Sequence, residues 1–202
     1  MDLVRASHLY KVFGKNERQV IERLKAGESR EELASLGTAA VIDVSFEVAK
    51  GETFVVMGLS GSGKSTLIRM INGLWSPSEG TVEVAGKVVS DMNDAQLRAL
   101  RRDHVSMVFQ HFALLPHLTV RENAAYGLKL QGKLKQKERL EKANEWLNTV
   151  GLNGWGDKYP HQLSGGMQQR VGLARALAAE TDILLMDCLL YTSDAADDLL
   201  CV

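Results

Sequence analysis

Residues 58–66, Gly58-Leu59-Ser60-Gly61-Ser62-Gly63-Lys64-Ser65-Thr66, follow the pattern G-x-x-x-x-G-K-[S/T]. Glycines at this spacing let the backbone curl until its N–H groups converge, and a helix starting at the end of the loop adds positive potential at the same point. The chemistry this suits is polyphosphate binding. Lys64 can reach β and γ phosphates, Ser65 is placed to ligate Mg²⁺, and Thr66 is the next hydroxyl in line. Such a loop needs a strand before it and a helix after it. Residues 53–57, Thr-Phe-Val-Val-Met, read as a strand apolar on both faces, as in the interior of a parallel sheet. Leu67, Ile71 and Leu74 mark the helix by their spacing.

Two further features bear on the same chemistry. Asp187 closes the apolar run Ile183-Leu184-Leu185-Met186, so its carboxylate sits at the C-terminal edge of a strand, where it can hold a metal-bound water. One hundred residues beyond Lys64, Ser164 opens Leu163-Ser164-Gly165-Gly166-Met167-Gln168-Gln169-Arg170. Ser164 is a natural N-cap, and the two glycines expose the first N–H groups of a helix to an anion.

The elements that must position these groups alternate between strand and helix. Residues 3–13 and 41–48 read as strands, and residues 15–37 as one or two amphipathic helices with Ser29 and Glu32 spaced as a capping box and Gly37 as a stop. Residues 81–89 resemble a hairpin, and residues 105–109 form a short apolar strand ending at Gln110. From there to about residue 160 the pattern is helical. Thr119 and Glu122 form a second capping box, and Leu140, Ala143, Leu147 and Val150 mark one face. A further helix is expected over residues 164–179. The alternation implies an α/β architecture with a largely parallel sheet and a helical subdomain inserted in it.

Composition narrows the class. Of 202 residues, 45% are hydrophobic, and 24 Lys and Arg stand against 25 Asp and Glu, a net charge of −1 that gives no general drive toward nucleic acid. No apolar run approaches the roughly 18 to 20 residues that span a bilayer, and the opening residues lack a signal-peptide stretch. Cys188 and Cys201 both lie in the last fifteen residues, so no disulfide framework or metal cluster can be argued. His104, His111, His117 and His161 show no metal spacing. Lys133, Lys135 and Lys137 read as a solvated helix end, and Trp75, Trp146 and Trp155 as packing anchors.

With the loop at 58–66, the acid at 187 and the Leu163-Ser164-Gly165-Gly166-x-Gln168 run together, residues 3–187 resemble the ATP-binding subunits of ABC transporters. The resemblance implies a P-loop NTPase fold: a RecA-like core with a mainly parallel sheet, a small antiparallel β part and an inserted α-helical subdomain at about 111–160. Residues 15–40 would be an extra N-terminal helical segment. It implies ATP and Mg²⁺ as ligands, with Gly58 to Thr66 cradling the phosphates. It also implies a homodimer in which Ser164, Gly165, Gly166 and Gln168 meet the γ-phosphate of ATP held by the other subunit. Gln110 matches the glutamine that contacts Mg²⁺ and the attacking water, so Ser65, Gln110 and Asp187 form the implied metal set, and Gln110 and Asp187 the catalytic one. Phe13 aligns with the aromatic that stacks on adenine; a core aromatic on the first strand is the alternative.

Within that family, the opening LYKVFG, the segment at 15–40 and the run 107–120 look like importers of quaternary amines such as glycine betaine, proline betaine or choline. Integral membrane permease subunits and, indirectly, a periplasmic or extracellular substrate-binding protein are the implied partners, with no nucleic acid. The implied location is peripheral, on the cytoplasmic face of the plasma (inner) membrane. Residues 112–126 suit either a surface that meets the permease or internal packing. An importer of another polar substrate, such as an amino acid, and a soluble non-transport ABC ATPase are the alternatives.

One position departs from the family. Where its members carry a glutamate that polarises the attacking water, Cys188 follows Asp187, and a thiol largely protonated near neutral pH cannot replace a carboxylate. Residues 188–197, Cys-Leu-Leu-Tyr-Thr-Ser-Asp-Ala-Ala-Asp, resemble the translation of a transposase-end sequencing adapter. The expectation is a partial ABC ATPase domain over 1–187, incomplete at its C-terminus, followed by a non-native tail over 188–202. The parent protein would hydrolyse ATP, and the chain as it stands would not.

Overall fold

The computed structural model describes residues 2–109 and 113–187. The chain divides into two compact units, Met1–Leu97 and Arg98–Val202.

The first unit is built on an antiparallel sheet. Strand β1 (Asp2–Phe13) is followed by helix α1 (Glu17–Lys25), strand β2 (Thr38–Ala49), helix α2 (Lys64–Ile71), strand β3 (Glu79–Val84) and strand β4 (Lys87–Val88). The strand order is β2-β1-β3-β4. At the far end of the β1–β2 ladder, Val12 pairs with Ala39 and Phe13 with Thr38. The expected 81–89 hairpin is present as β3 and β4, turned at Ala85 and Gly86.

Helix α1 lies on this sheet because its apolar stripe is short but complete. Val20 and Ile21 are buried with Tyr10, Val12, Leu33 and Ala39, and Leu24 and Leu36 pack against them. Each fully buried aliphatic side chain of this kind contributes roughly 1.5 to 3 kcal/mol. The outward face is held by exposed pairs such as Arg18 to Glu22 at 3.0 Å. The bonds of the Ser29–Glu32 box form, with the Ser29 amide donating to Glu32 at 2.7 Å, but they close a series of turns over residues 30–36 instead of a second helix.

Two expectations fail in this unit. Residues 53–57 join no ladder among the described residues, and Val55 and Met57 are 68% and 86% exposed. An apolar run becomes an inner strand only if neighbours take up its backbone groups on both sides. The described strands of this unit form one antiparallel sheet that does not include this run, and Phe54 stacks on Phe46 of β2, with ring centroids 4.8 Å apart. Leu74 falls beyond the end of α2 and is exposed; the buried face of α2 is Thr66, Leu67, Met70 and Ile71.

Helix α3 (Asp94–Asp103) leads from the first unit into the second. Asn93 and Gln96 cap it reciprocally: the Gln96 amide donates to Asn93 Oδ1 at 3.0 Å, and the Asn93 amide to Gln96 Oε1 at 2.9 Å.

The second unit contains strand β5 (Val105–Val108), helices α4 (Val120–Ala124), α5 (Tyr126–Gln131), α6 (Gln136–Thr149) and α7 (Gly165–Ala178), and strand β6 (Ile183–Met186). β5 and β6 pair in parallel, Val105 with Ile183 through Val108 with Met186. The helices close on Val120, Ala124, Ala143, Leu147, Leu152, Leu163, Val171 and Ala174, with Leu140 and Val150 packed against them, so the face marked by periodicity is the face that is buried. The Thr119–Glu122 box is formed in full. Asn123 is wholly buried and fully engaged, accepting from the Leu115 amide at 2.8 Å and donating to the carbonyls of Leu115 and Leu118. These bonds fold residues 115–119 onto α4, and Leu114 packs against the same core. Much of the segment at 113–126 is therefore internal packing.

Candidate nucleotide site

The loop at 58–66 curls around its own lysine. Lys64 Nζ donates to the carbonyl oxygens of Gly58 at 2.7 Å and Leu59 at 2.8 Å, and lies 3.5 Å from Ser62 Oγ. The Ser62 amide donates to the Leu59 carbonyl at 3.1 Å, which tightens the turn at its tip. Gly63 N-caps α2 at φ +94°, a left-handed conformation that a side chain disfavours. A Cβ on Gly63 would also stand 2.0 Å from the Ala40 carbonyl oxygen of β2. The backbone thus passes close against β2 where the helix starts, with room for glycine alone.

These features fit a polyphosphate. The first N–H groups of a helix have no partner within it, and α2 carries no acidic residue in its first turn to neutralise the positive potential at that end. Lys64 brings a cation to the same place. Loop residues 58–62 are exposed, and Thr66 turns inward into the core.

Phe13 ends β1 at 37% exposure, with the Lys11 ammonium 5.4 Å from its ring centroid. Trp75 meets it edge to face at 5.0 Å and 77°. More than a third of Phe13 stays open, and it is not among the buried core residues packed around α1. Sequence reasoning treated Trp75 only as a packing anchor and missed this pairing, for which the loop offers no spacing signal. Trp146 packs on the helical core, whereas Trp155 is 37% exposed.

In the second unit, Asp187 follows β6 and is buried, its amide donating to the Val108 carbonyl at 3.0 Å. Parallel pairing holds this carboxylate at the C-terminal edge of the two strands, the position expected from sequence. Ser164 caps α7, its hydroxyl accepting from the Met167 amide at 3.3 Å, while Gly165 and Gly166 are exposed at the helix start. Gln168 is half-buried and donates to the Leu163 carbonyl at 3.2 Å. Arg175, half-buried along α7, donates to the Ala113 carbonyl at 2.7 Å, and partial desolvation lowers the pKa of the guanidinium. Gln110, His111 and Cys188 lie outside the described residues. His104 contacts Asp182 at 2.7 Å, and Lys133, Lys135 and Lys137 are exposed.

Phosphate loop, strand-end aspartate and glycine-led helix on a mixed α/β scaffold are the parts of an ATP-binding cassette. Residues 41–188 match the ABC transporter family model, and the chain belongs to that family. It is 52% identical over 186 residues to the glycine betaine transport ATP-binding protein OpuAA of Bacillus subtilis (strain 168), covering 91% of this chain and 44% of that protein. It is 48% identical over 185 residues to the glycine betaine/proline betaine transport system ATP-binding protein ProV of Escherichia coli (strain K12), covering 89% and 45%. Among solved structures, the ATP-binding cassette MJ0796, a dimer in a post-hydrolysis state bound to ADP and Pi, superposes with a TM-score of 0.79 at 33% identity, over 95% of this chain and 76% of that one. The chain spans about half the length of the curated relatives it matches. No helix among the described residues is long and apolar enough to cross a membrane.

Proposed function

We propose that this chain is the nucleotide-binding part of the ATP-hydrolysing subunit of an importer for glycine betaine, proline betaine or a related quaternary amine. The observation that carries the reading is the loop at 58–66, closed around Lys64 and packed close against β2 at Gly63. The relatives' glycine betaine names support the substrate class.

Mg·ATP, when bound, supplies a γ-phosphoryl group for transfer to water. Gly58 to Thr66 cradle the phosphates with main-chain N–H groups, and Lys64 exchanges its carbonyl partners for phosphate oxygens. Ser65, Gln110 and Asp187 would hold Mg²⁺, with Gln110 and Asp187 also orienting water. Phe13 offers its open surface to the base. Ser164, Gly165, Gly166 and Gln168 present the start of α7 to the nucleotide of a second copy, which makes a homodimer the working unit. Its partners would be permease subunits on the cytoplasmic face of the inner membrane and, through them, an external binding protein. Cys188 leaves the position after Asp187 without a carboxylate, so the chain is a binder and not an efficient hydrolase.

The substrate reading is tested by uptake. A chimera carrying residues 1–187 in place of the corresponding part of a quaternary-amine importer's ATP-binding subunit should restore uptake of labelled glycine betaine in cells lacking that subunit. Failure to restore it, with the chimera expressed and binding ATP, would overturn the substrate assignment.

A further inference from the structure

Trp75 belongs to neither the phosphate loop nor the core, yet three separate contacts fix it. Its main-chain amide donates to the Arg69 carbonyl at 3.2 Å, anchoring it to the C-terminal end of α2. Its ring lies under the Arg69 guanidinium, 4.9 Å away, and packs edge to face against Phe13. Three residues on, Ser78 binds the loop to β1: its amide donates to the Tyr10 carbonyl at 2.8 Å, and its hydroxyl accepts from the Val12 amide at 3.1 Å and donates to the Glu17 carboxylate. Pro77, with its fixed φ, stiffens the span between them. The segment at 72–78 is thus a short strut between the helix that begins at the phosphate loop and the strand that ends in Phe13.

We infer that Trp75 is a positioning residue for nucleotide recognition, holding the Phe13 ring so that its open side stacks on the base of the nucleotide whose phosphates sit at 58–66. The inference rests on the reading of Phe13 given above. An exposed phenylalanine at a strand end is otherwise free to change rotamer, and ordering it on binding costs affinity. A T-shaped neighbour removes that freedom beforehand, and the ring's remaining exposed surface is available to a planar partner. Lys11 lies over the ring through a long, partly exposed side chain, and such a contact is weak enough to give way to a base.

The test compares ligands that do and do not carry a base. Binding of Mg·ATP and of inorganic tripolyphosphate is measured by calorimetry on the 202-residue chain and on Trp75→Ala, Trp75→Phe, Phe13→Ala and the Phe13→Ala/Trp75→Ala double variant. An edge-to-face pair is worth enough that Trp75→Ala should weaken ATP about two- to tenfold while tripolyphosphate affinity stays unchanged. Trp75→Phe should recover most of the loss, and the double variant should be no weaker than Phe13→Ala. Unchanged tripolyphosphate binding also shows that the variants fold. Loss of both ligands in Trp75→Ala, with Trp75→Phe no better, would make Trp75 purely structural and overturn the inference. If Phe13→Ala weakens ATP and Trp75→Ala does not, the inference fails and the Phe13 reading stands. If Phe13→Ala leaves ATP binding unchanged, the Phe13 reading fails and takes the inference with it.

Discussion

Gly63 and the main-chain oxygen of Ala40 stand so close that a Cβ on Gly63 would lie 2.0 Å from that oxygen. Ala40 follows the two residues of β2, Thr38 and Ala39, that pair with Phe13 and Val12. The start of the phosphate-loop helix and the aromatic end of β1 are therefore both built on one short stretch of β2. The exposed loop itself is closed by the Lys64 bonds to the Gly58 and Leu59 carbonyls.

The contact also sets the cost of a methyl group. Gly63→Ala combines a strained φ with a main-chain clash that no side chain can relieve, so it should lower unfolding stability by about 2 kcal/mol or more and abolish measurable ATP binding. Gly61→Ala has a positive φ of +78° but open space around it, and should cost only about 1 kcal/mol. Urea unfolding of both variants checks the difference; equal effects would mean that the Gly63–Ala40 approach carries no weight.

The caps of the second unit make a graded prediction. Ser164→Ala removes the hydroxyl that accepts from Met167 at 3.3 Å and should cost about 1 kcal/mol, whereas Ser164→Gly should cost a few tenths. Under the proposed dimer, both variants should also weaken ATP-induced self-association, read by analytical ultracentrifugation with and without Mg·ATP.

Acid should loosen the same unit. Bonds from the Thr119 amide and hydroxyl hold the Glu122 carboxyl below its ordinary value. Its folded-state pKa is depressed, so the unfolded chain binds more protons. The stabilisation is present above the ordinary Glu pKa of about 4.3 and is lost as pH falls through the lower folded value. The Arg23 hydrogen bond to Glu28 acts in the same direction in the first unit. Urea midpoints measured from pH 6 down to pH 3 should fall below about pH 4.3, and Glu122→Gln should make the fall shallower.

Hydrolysis should separate from binding. The chain as it stands should show no turnover above a Lys64→Ala control. A version in which everything after Asp187 is replaced by Glu and the C-terminal part of a full-length relative should turn ATP over. Equal turnover in the two would mean that the residue after Asp187 does not supply the base.

How much was legible depended on whether a signal was local. β1, β2, α2, α7 and β6 were readable because each carries its own periodicity or cap, and Ser164, Thr119 and Glu122 act as their residue types suggest. Helix α3 went unread although Asn93 and Gln96 have capping-box spacing and Leu97 and Leu100 share a face; an asparagine cap among charged residues was a signal within reach. Residues 53–57 have strand composition but no ladder, because strand formation depends on a neighbour that composition does not name. At the candidate site, the turn at 58–66 was legible from its glycines, and the position of Asp187 from the strand it follows. The Phe13–Trp75 contact was not, since it joins residues 62 positions apart through two independent elements.

The most direct measurement is equilibrium binding of Mg·ATP to the 202-residue chain and to Lys64→Ala. Lys64 is the one side-chain cation bonded to the loop's own carbonyls among the described residues, so its removal should weaken ATP at least tenfold, with little change in urea midpoint. Equal affinity in the two proteins, or no binding by the unaltered chain, would contradict the assignment of residues 58–66 as the nucleotide site.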